Sequence, residues 1–423
     1  MPKMPYAHQK DARQQNASAL LRDLWYNAPL SKAMLAQRND LTKATVSAIC
    51  GNLLTLGLIQ DNGQDRTGLG RPGNLLELNS SARCAIGVEV STNYSAVVLT
   101  NFCNQALWQR AALIAVGSSQ EAFLAHTEAM IAEAIDQARA RDIPLLGIGV
   151  GVPGIVDPGP AGLVSAPALG WKEVPLKQIW EECYSLPVIV ENRARAAAMA
   201  EAISGSAQGA ASFVYVSIGT DVRSSVEAAV VQDGFPQRGA HGLAVDAGHM
   251  ILDPAGPTCS CGQRGCWQAL VDVAREAGLL QSRLLAGETS VLQGLAATQD
   301  ETLEHRAIHQ AAVEHDAVAL EVVRTVLHNH ALGITNLVRL FDPEVVVIGY
   351  ANLALPDEHK TRMRILDAMS EIDIPGNVRK QLAQRGVPPP AIVYAAYGAE
   401  ACMLGAAALV VGDFMRTPPV VES

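Results

Sequence analysis

Cys259-Ser-Cys-Gly-Gln-Arg-Gly-Cys266, preceded by His249, is the most informative stretch of this 423-residue chain. One histidine and three cysteines within 18 residues match the ligand set of a tetrahedral Cys₃His zinc site. Gly262 and Gly265 permit the tight turns that bring three sulfurs to one point. Because protein ligands fill all four positions, the pattern predicts a structural Zn²⁺ site in a loop over 249–268. Four unrelated small buried residues are the alternative.

The first 82 residues carry the pattern of three helices and a hairpin. Apolar residues at helical spacing mark a first helix around 20–25, a short second helix after Ser31, and a third helix that Thr42 caps and Gly57 ends. Strands are predicted at 58–60 and 74–78, with a loop that begins at Asn62-Gly63. This order is typical of a winged helix-turn-helix, whose third helix enters the major groove of DNA. A helical module for protein–protein contact is the alternative.

The solvent face of the third predicted helix supplies candidate DNA contacts, although a merely solvated face would carry the same residues. Arg71, next to Gly70 and Pro72, either reaches the minor groove from the wing or supports the wing. The predicted DNA-binding residues are Thr42, Lys43, Thr45, Ser47 and Arg71.

Charge supports DNA binding by the N-terminal region alone. Residues 1–83 carry ten Lys and Arg against six Asp and Glu, whereas the remainder carries 22 against 36. The acidic remainder of the chain would repel DNA, so only the basic N-terminal region, called the head below, is expected to contact DNA phosphates. The N-terminus shows no apolar signal segment, and a cytoplasmic location is expected. The five cysteines outside the zinc loop are expected to be reduced core residues.

Past residue 83 the pattern predicts a duplicated α/β body with a ligand cleft between two lobes. The first lobe is predicted over 83–200, with a returning C-terminal helix at 397–412, and the second over 201–396. The predicted strands are 84–90, 95–100, 107–114, 145–151, 188–191, 213–218, 226–232, 249–252 and 344–349.

A winged helix, a duplicated body and a Cys-x-Cys-Gly-x-x-Gly-Cys loop together resemble the ROK family of repressors, open reading frames and kinases. The resemblance implies two actin-like lobes and covers nearly the whole chain. The chain is similar to the regulator branch of the family, which carries an N-terminal DNA-binding domain like the one predicted here over 1–82. The resemblance implies a sugar-responsive repressor. The motifs that carry it are Gly149-Val-Gly-Val-Pro-Gly154, Glu191-Asn192, Arg238-Gly-Ala-His-Gly242, Gly248-His249-Met250, Phe341-Asp-Pro-Glu344, Gly70-Arg-Pro72 and the zinc loop.

Four departures from the family's kinase pattern predict that phosphoryl transfer is lost. Arg193 stands where family kinases carry the catalytic Asp, and a guanidinium cannot act as a base. In family kinases the phosphate loop is usually Gly-Thr-Gly followed by small residues. Here Gly219-Thr220 is followed by Asp221, Val222 and Arg223. The nucleotide motifs read Glu89-Val-Ser-Thr92 and Gly349-Tyr-Ala351.

The sugar positions of the family are changed as well, since Ala168 replaces an Asn and Arg193 adds a fixed charge. The resemblance assigns effector contacts to Asn192, Arg193, Asp246, His249 and Gln268. An anionic effector, such as a sugar acid or sugar phosphate gripped by Arg193, is one hypothesis. In the alternative, Arg193 forms a structural pair with Asp246 or Glu191, and the pocket has decayed.

The sequence therefore predicts a DNA-binding repressor that forms a homodimer or tetramer. A small metabolite is expected to regulate it by changing the populations of the conformations that differ in lobe angle. His249 would contact the effector through one ring nitrogen and zinc through the other, or zinc would only fasten the loop. Two other classes stay open: a ligand-independent DNA-binding regulator and an ATP-dependent sugar kinase.

Overall fold

A computed structural model describes residues 5–64, 74–115, 117–157, 159, 162–219, 226–294, 301–351, 374–383, 386 and 388–419. The chain divides into two compact units. The first contains residues 1–204 and 401–423, and the second contains residues 205–400.

Three helices and a three-stranded antiparallel sheet open the first unit. The sheet order is β1-β3-β2, with Leu30 opposite Leu76 and Ile59 opposite Leu78. The predicted cap at Thr42 is confirmed, because its side chain accepts the N–H of Thr45. Ser31, after which the second helix was predicted, caps that helix by accepting the N–H of Met34. The elements are α1 Pro5–Asn27, β1 Leu30–Ser31, α2 Lys32–Arg38, α3 Lys43–Thr55, β2 Ile59–Gln64 and β3 Asn74–Leu78.

The loop predicted to begin at Asn62-Gly63 is wrong in its starting point. Strand β2 continues to Gln64, and its pairing with β3 shifts register between Asp61 and Gln64. A strand can absorb the flexible Asn-Gly pair in such an irregularity without ending.

One hydrophobic core joins these N-terminal elements to the rest of the first unit. It contains Leu20, Leu24 and Ile49 together with Phe102, which lies beyond the hairpin, and Met415, which lies near the C-terminus. The N-terminal helices are therefore packed on the body of their unit by buried apolar side chains.

The first unit also holds a five-stranded sheet in the order β11-β7-β4-β5-β6. Strands β4, β5 and β6 form an antiparallel meander, and β7 and β11 run parallel to β4. The elements are β4 Cys84–Val90, β5 Tyr94–Asn101, β6 Ala106–Leu113, α4 Gln120–Ala140, β7 Leu145–Val152, β8 Ile155–Val156, β9 Leu163–Ala166, β10 Trp171–Pro175, α5 Leu176–Tyr184, β11 Val188–Asn192 and α6 Arg193–Ser204.

The second unit repeats that sheet, in the order β14-β13-β12-β15-β16. Here β12, β13 and β14 form the meander, and β15 and β16 run parallel to β12. The elements are β12 Ser212–Gly219, β13 Val226–Gln232, β14 Phe235–Pro236, α7 Trp267–Val271, α8 Val273–Leu285, α9 Glu301–Val313, α10 Ala317–Phe341, β15 Val345–Ala351, α11 Ile374–Ala383 and β16 Ala391–Tyr394. Two sheets with one strand order confirm the predicted duplication.

The C-terminal helix α12, Ala401–Arg416, belongs to the first unit, where it packs against β4, β7, α1 and α6. It begins four residues later than the predicted start at 397 and ends at Arg416 rather than at 412. In the described part of the chain, no helix is both long and apolar enough to cross a membrane.

The strand predicted at 249–252 is wrong. Residues Ala247–His249 form a short 3₁₀ turn, and only a single bridge joins Ile251 to Cys266. The three apolar residues after His249 resembled a strand, but the tight turn at Gly248 places His249 beside the cysteine loop.

Candidate functional site

The four predicted metal ligands of the second unit meet at one point. His249 Nδ1 lies 3.6 Å from Cys259 Sγ, and Cys261 Sγ lies 3.7 Å from Cys266 Sγ. All four ligand atoms lie within 4.8 Å of one another. A disulfide needs sulfurs about 2.05 Å apart, so the cysteines are free thiols.

These separations fit a single tetrahedral ion. Bonds of about 2.3 Å to sulfur and 2.0–2.1 Å to nitrogen place sulfurs roughly 3.8 Å apart and a sulfur and a nitrogen roughly 3.5 Å apart. The chemistry of the donors agrees, because three soft thiolates and an imidazole suit a transition-metal ion. The Cys₃His cluster could therefore hold a metal ion.

Local backbone structure brings the cysteines together. Thr258 and Arg264 form a bridge, and the N–H of Cys259 donates to Gln263 O at 2.7 Å. Gly265 has φ +72, and a Cβ there would lie 1.5 Å from Asp253 O, so only glycine fits. The chain thus turns back within eight residues, as the two glycines of the loop predicted.

The neighbouring thiols of the cluster shift one another's pKa values. Burial raises the pKa of Cys259, but hydrogen bonds from the N–H of Cys261 and from the neighbouring thiols outweigh it and lower the pKa to about 7. Burial and the adjacent sulfurs raise the pKa of Cys266 to about 12. Three adjacent thiolates repel one another, and a bound cation would remove that repulsion.

Two of the predicted effector residues of the second unit, His249 and Gln268, contact this loop. Gln268, in helix α7, donates from Nε2 to Cys259 Sγ at 3.4 Å and to Ser260 Oγ at 3.3 Å. Asp246 is exposed and precedes the 3₁₀ turn that carries His249. Gln268 therefore supports the cysteine loop, which was not predicted from the sequence.

In the first unit, Asn192 ends strand β11 and directly precedes helix α6. Its Oδ1 accepts the N–H groups of Ala194 at 3.0 Å and Arg195 at 3.3 Å, and its Nδ2 donates to Gly154 O at 3.0 Å. The side chain thus caps the helix and holds the Gly154 turn. The sequence motif that contains Gly154 and the one that contains Asn192 are joined by this bond.

Arg193 follows directly and donates from Nη1 to Ser91 Oγ at 3.1 Å. Ser91 lies in the segment 89–92 that replaces the first nucleotide motif of the family. Glu191, one of the two partners considered for Arg193, accepts Arg195 Nε at 2.6 Å, and both side chains are buried. That buried pair fixes the first turn of α6 beside Arg193.

The other changed nucleotide positions are partly described. Glu89 is buried and accepts the hydroxyl of Tyr94 at 2.7 Å; burial, together with that carboxylate, holds the pKa of Tyr94 well above its usual value. Gly349 lies in β15 against Tyr215, and Glu227 is half-buried in β13. Thr220, Asp221, Val222 and Arg223 lie outside the described residues, and Ala168 is exposed in a 3₁₀ turn of the first unit.

A family model described as the ROK family matches residues 86–412. The chain belongs to the ROK family. It is 31% identical to a putative xylose repressor from Caldicellulosiruptor sp. (strain Rt8B.4), over 97% of this chain and 98% of the relative. It is 29% identical to the xylose repressor of Bacillus subtilis (strain 168), over 82% of this chain and 84% of the relative. A solved ROK family transcriptional regulator, a homolog of the Escherichia coli MLC protein, matches with TM-score 0.72 and 24% identity over 96% of this chain and 97% of that one.

The predicted DNA-binding residues of this ROK protein precede the family match, and four of the five lie at the start of α3. Thr42, Lys43 and Ser47 are exposed, whereas Thr45 is half-buried and its hydroxyl lies 2.8 Å from that of Thr42. Val46, Ile49 and Leu53 on the opposite face are buried. Packing therefore fixes which face of α3 is presented to solvent. Arg71 lies outside the described residues.

A second cluster of metal-ligating side chains in this ROK protein was not predicted. Glu276 of α8 meets His305 and His309 of α9, with their ligand atoms within 4.8 Å of one another. The only signal in the sequence is the spacing of the two histidines, one helical turn apart. Nothing in the sequence pairs them with a glutamate 29 residues upstream.

Proposed function

We propose that this protein is a DNA-binding transcriptional repressor that responds to a sugar or sugar derivative. The observation that carries the proposal is the extent of the match to a putative xylose repressor, which covers 97% of this chain. A match over 97% of the chain extends into the N-terminal helices and hairpin, which precede residue 86, where the family model begins. A repressor requires a DNA-binding domain of this kind, whereas a sugar kinase does not.

In this proposal, α2, α3 and the hairpin β2–β3 form a winged helix-turn-helix with α3 as the recognition helix. The exposed Thr42, Lys43 and Ser47 would contact the major groove and phosphates, and Thr45 would orient Thr42. The small exposed residues Ala44 and Ala48 let α3 approach closely, and its N-terminus favours phosphate. Arg71 would reach DNA from the wing, and a dimer would read two half-sites.

We assign Zn²⁺ to the Cys₃His cluster, because zinc favours four-coordinate tetrahedral sites of this composition. The ion would fix the loop that Gln268 also supports. His249 turns Nδ1 toward the sulfurs, so its Nε2 is the nitrogen that would contact the effector. Occupancy by the effector would then act on the loop through His249 and Gln268.

The effector contacts are proposed at Asn192, Arg193, Asp246, His249 and Gln268. Arg193 favours an anionic group on the effector, since its guanidinium is always charged. The same residue opposes kinase activity, because it cannot accept the proton of a sugar hydroxyl.

A packed route leads from Arg193 toward the DNA-binding helices within the first unit. Arg193 begins α6, α6 packs against α12, and α12 packs against α1 and shares its core. An effector that changes the population of conformers at α6 would therefore also change the conformation of the N-terminal DNA-binding helices, through these packed contacts.

The test is DNA binding to the protein's own promoter region, titrated with xylose and other neutral sugars, sugar acids and sugar phosphates. We expect at least one compound to shift the affinity about tenfold, a coupling of about 1.4 kcal/mol. An affinity that no compound alters would favour the ligand-independent regulator, and an absence of DNA binding would overturn the proposal.

A matched pair of variants tests the interface. Lys43→Ala should weaken binding and reduce the slope of log affinity against log salt by about 0.9, the share of one phosphate contact. Lys172→Ala removes an exposed charge of the same unit outside the head and should leave the slope unchanged. Equal slopes for both variants would remove Lys43 from the interface.

A further inference from the structure

Two helices of the second unit bring a buried carboxylate against two imidazoles, away from the cysteine loop. Glu276 lies in the first turns of α8, and its side chain is only 1% exposed. His305 and His309 lie one turn apart on α9, so both rings project from the same face of that helix. The histidine side chains are 11% and 17% exposed, so solvent reaches the cluster from the histidine side.

Both oxygens of the carboxylate face an imidazole nitrogen. Glu276 Oε1 lies 2.9 Å from His309 Nε2, and Glu276 Oε2 is in close contact with His305 Nδ1. The two imidazole centroids are 4.3 Å apart. The carboxylate is thus held between two nitrogens that converge on it from one helix.

The donor set has the composition of a metal site. Nitrogen and oxygen ligands about 2.0–2.2 Å from one ion lie roughly 3–3.5 Å from each other. The three ligand atoms lie within 4.8 Å of one another, and the contacts of Glu276 with His309, at 2.9 Å, and with His305 would have to lengthen slightly to admit an ion. Histidines four residues apart on a helix form a familiar chelating pair. Two imidazoles and a carboxylate suit zinc, cobalt or nickel, whereas calcium and magnesium prefer oxygen ligands.

Burial supplies the second argument. A carboxylate removed from water needs a compensating positive charge close by. A divalent ion held by both imidazoles would supply that charge while leaving the rings neutral.

We propose that Glu276, His305 and His309 form a second metal site, which binds a divalent transition-metal ion with water at its remaining positions. The ion ties α8 to α9. Helix α8 starts just after α7, which follows Cys266 directly, so the two metal sites would brace neighbouring elements of the same unit.

Cobalt distinguishes the two sites. The full-length protein is stripped of metal under reducing conditions and titrated with Co²⁺, and bound metal is counted by mass spectrometry after dialysis. We expect two ions per chain in the wild type. One of them should show thiolate-to-cobalt charge-transfer absorption, and the other should show only the weak bands of nitrogen and oxygen ligands.

His309→Gln should bind one ion per chain and keep the full charge-transfer absorption. His305→Gln, an independent variant, should behave in the same way if the first is poorly folded. His328→Gln, which removes an exposed histidine of α10, should still bind two ions. A metal-induced rise in melting temperature should be smaller in the two site variants than in the control.

One ion per chain in the wild type would overturn the proposal. So would a second ion that survives both His305→Gln and His309→Gln, since that ion would lie elsewhere. Neither outcome depends on DNA binding, so the second metal site and the repressor function can fail separately.

Discussion

Two clusters of metal-ligating side chains in the second unit are built in opposite ways. The Cys₃His cluster takes four ligands from 18 consecutive residues, and the bridge between Thr258 and Arg264 folds them together. The cluster at Glu276 takes its ligands from two helices, with separations of 29 and 33 residues along the chain. The Cys₃His cluster can therefore be predicted from the sequence, whereas the cluster at Glu276 forms only when α8 and α9 pack together.

The clusters also differ in the number of ligands that the protein supplies. In the first, Cys259 and Cys266 are buried, His249 is half-buried and Cys261 is exposed, whereas in the second Glu276 is buried and both histidines are half-buried. Because four protein ligands close a tetrahedral site and three leave a position open, we expect the cysteine loop to retain its ion and the helical cluster to exchange its ion with solvent.

Removal of a cysteine ligand should have the largest effect. Cys266→Ala should lose one zinc per chain and on the order of 4 kcal/mol of unfolding free energy, since loss of a structural metal is among the most destabilising changes. Metal content and thermal unfolding measure both. Cys84→Ala, which alters a buried cysteine of the first unit, should keep its metal and lose far less stability.

A similar loss of stability in Cys266→Ala and Cys84→Ala would break the comparison, because the loop would then be ordinary core rather than a metal-dependent structure.

Backbone changes should separate the two glycines of the loop. A side chain at Gly265 would collide with Asp253 O at 1.5 Å, whereas at Gly262 (φ +87) no other atom lies within 4 Å. Gly262→Ala should cost about 1 kcal/mol of unfolding free energy from the left-handed conformation alone. Gly265→Ala should cost at least about 2 kcal/mol more and weaken metal binding. Equal stability and metal affinity in the two variants, by denaturant unfolding and zinc competition, would contradict this loop geometry.

The smallest effect is expected beside the helical cluster. His330 is buried against Trp267, and burial lowers its pKa from 6.5 to about 3, with nearby Glu276 opposing the shift. The unfolded state therefore binds more protons below pH 6.5, and stability should fall as the pH is lowered from there. The slope contributed by this group is at most about 1.4 kcal/mol per pH unit.

His330→Leu should remove that part of the acid sensitivity, measured by denaturant unfolding between pH 7 and pH 5. His328→Gln, an exposed neighbour on the same helix, should follow the wild type. Parallel curves for the wild type and His330→Leu would show that His330 does not titrate in this way.

Local patterns explain what could be predicted from the sequence. Ser31 and Thr42 start their helices as predicted, since a cap depends on residues only three positions away. Strands 84–90 and 226–232 match β4 and β13, because both segments are mostly apolar and rich in valine. The four loop ligands are likewise neighbours in sequence.

The errors and omissions share a different cause. Residues 249–252 looked like a strand, but the preceding Gly248 lies close against Val226 and Gln268, which are distant along the chain. The bond of Asn192 to Gly154 was not predicted, and it depends on the parallel pairing of β7 and β11. Such contacts need a register that no local window contains.

The sequence by itself determined the helix caps, the sheet-forming runs, the basic head and the Cys₃His set, because each depends on residues close together in the chain. The tertiary structure alone decided the strand order of the two sheets, the core shared by α1 and α12, and the meeting of Glu276 with two histidines. These features depend on long-range burial of apolar surface, which brings together side chains that the order of residues leaves apart.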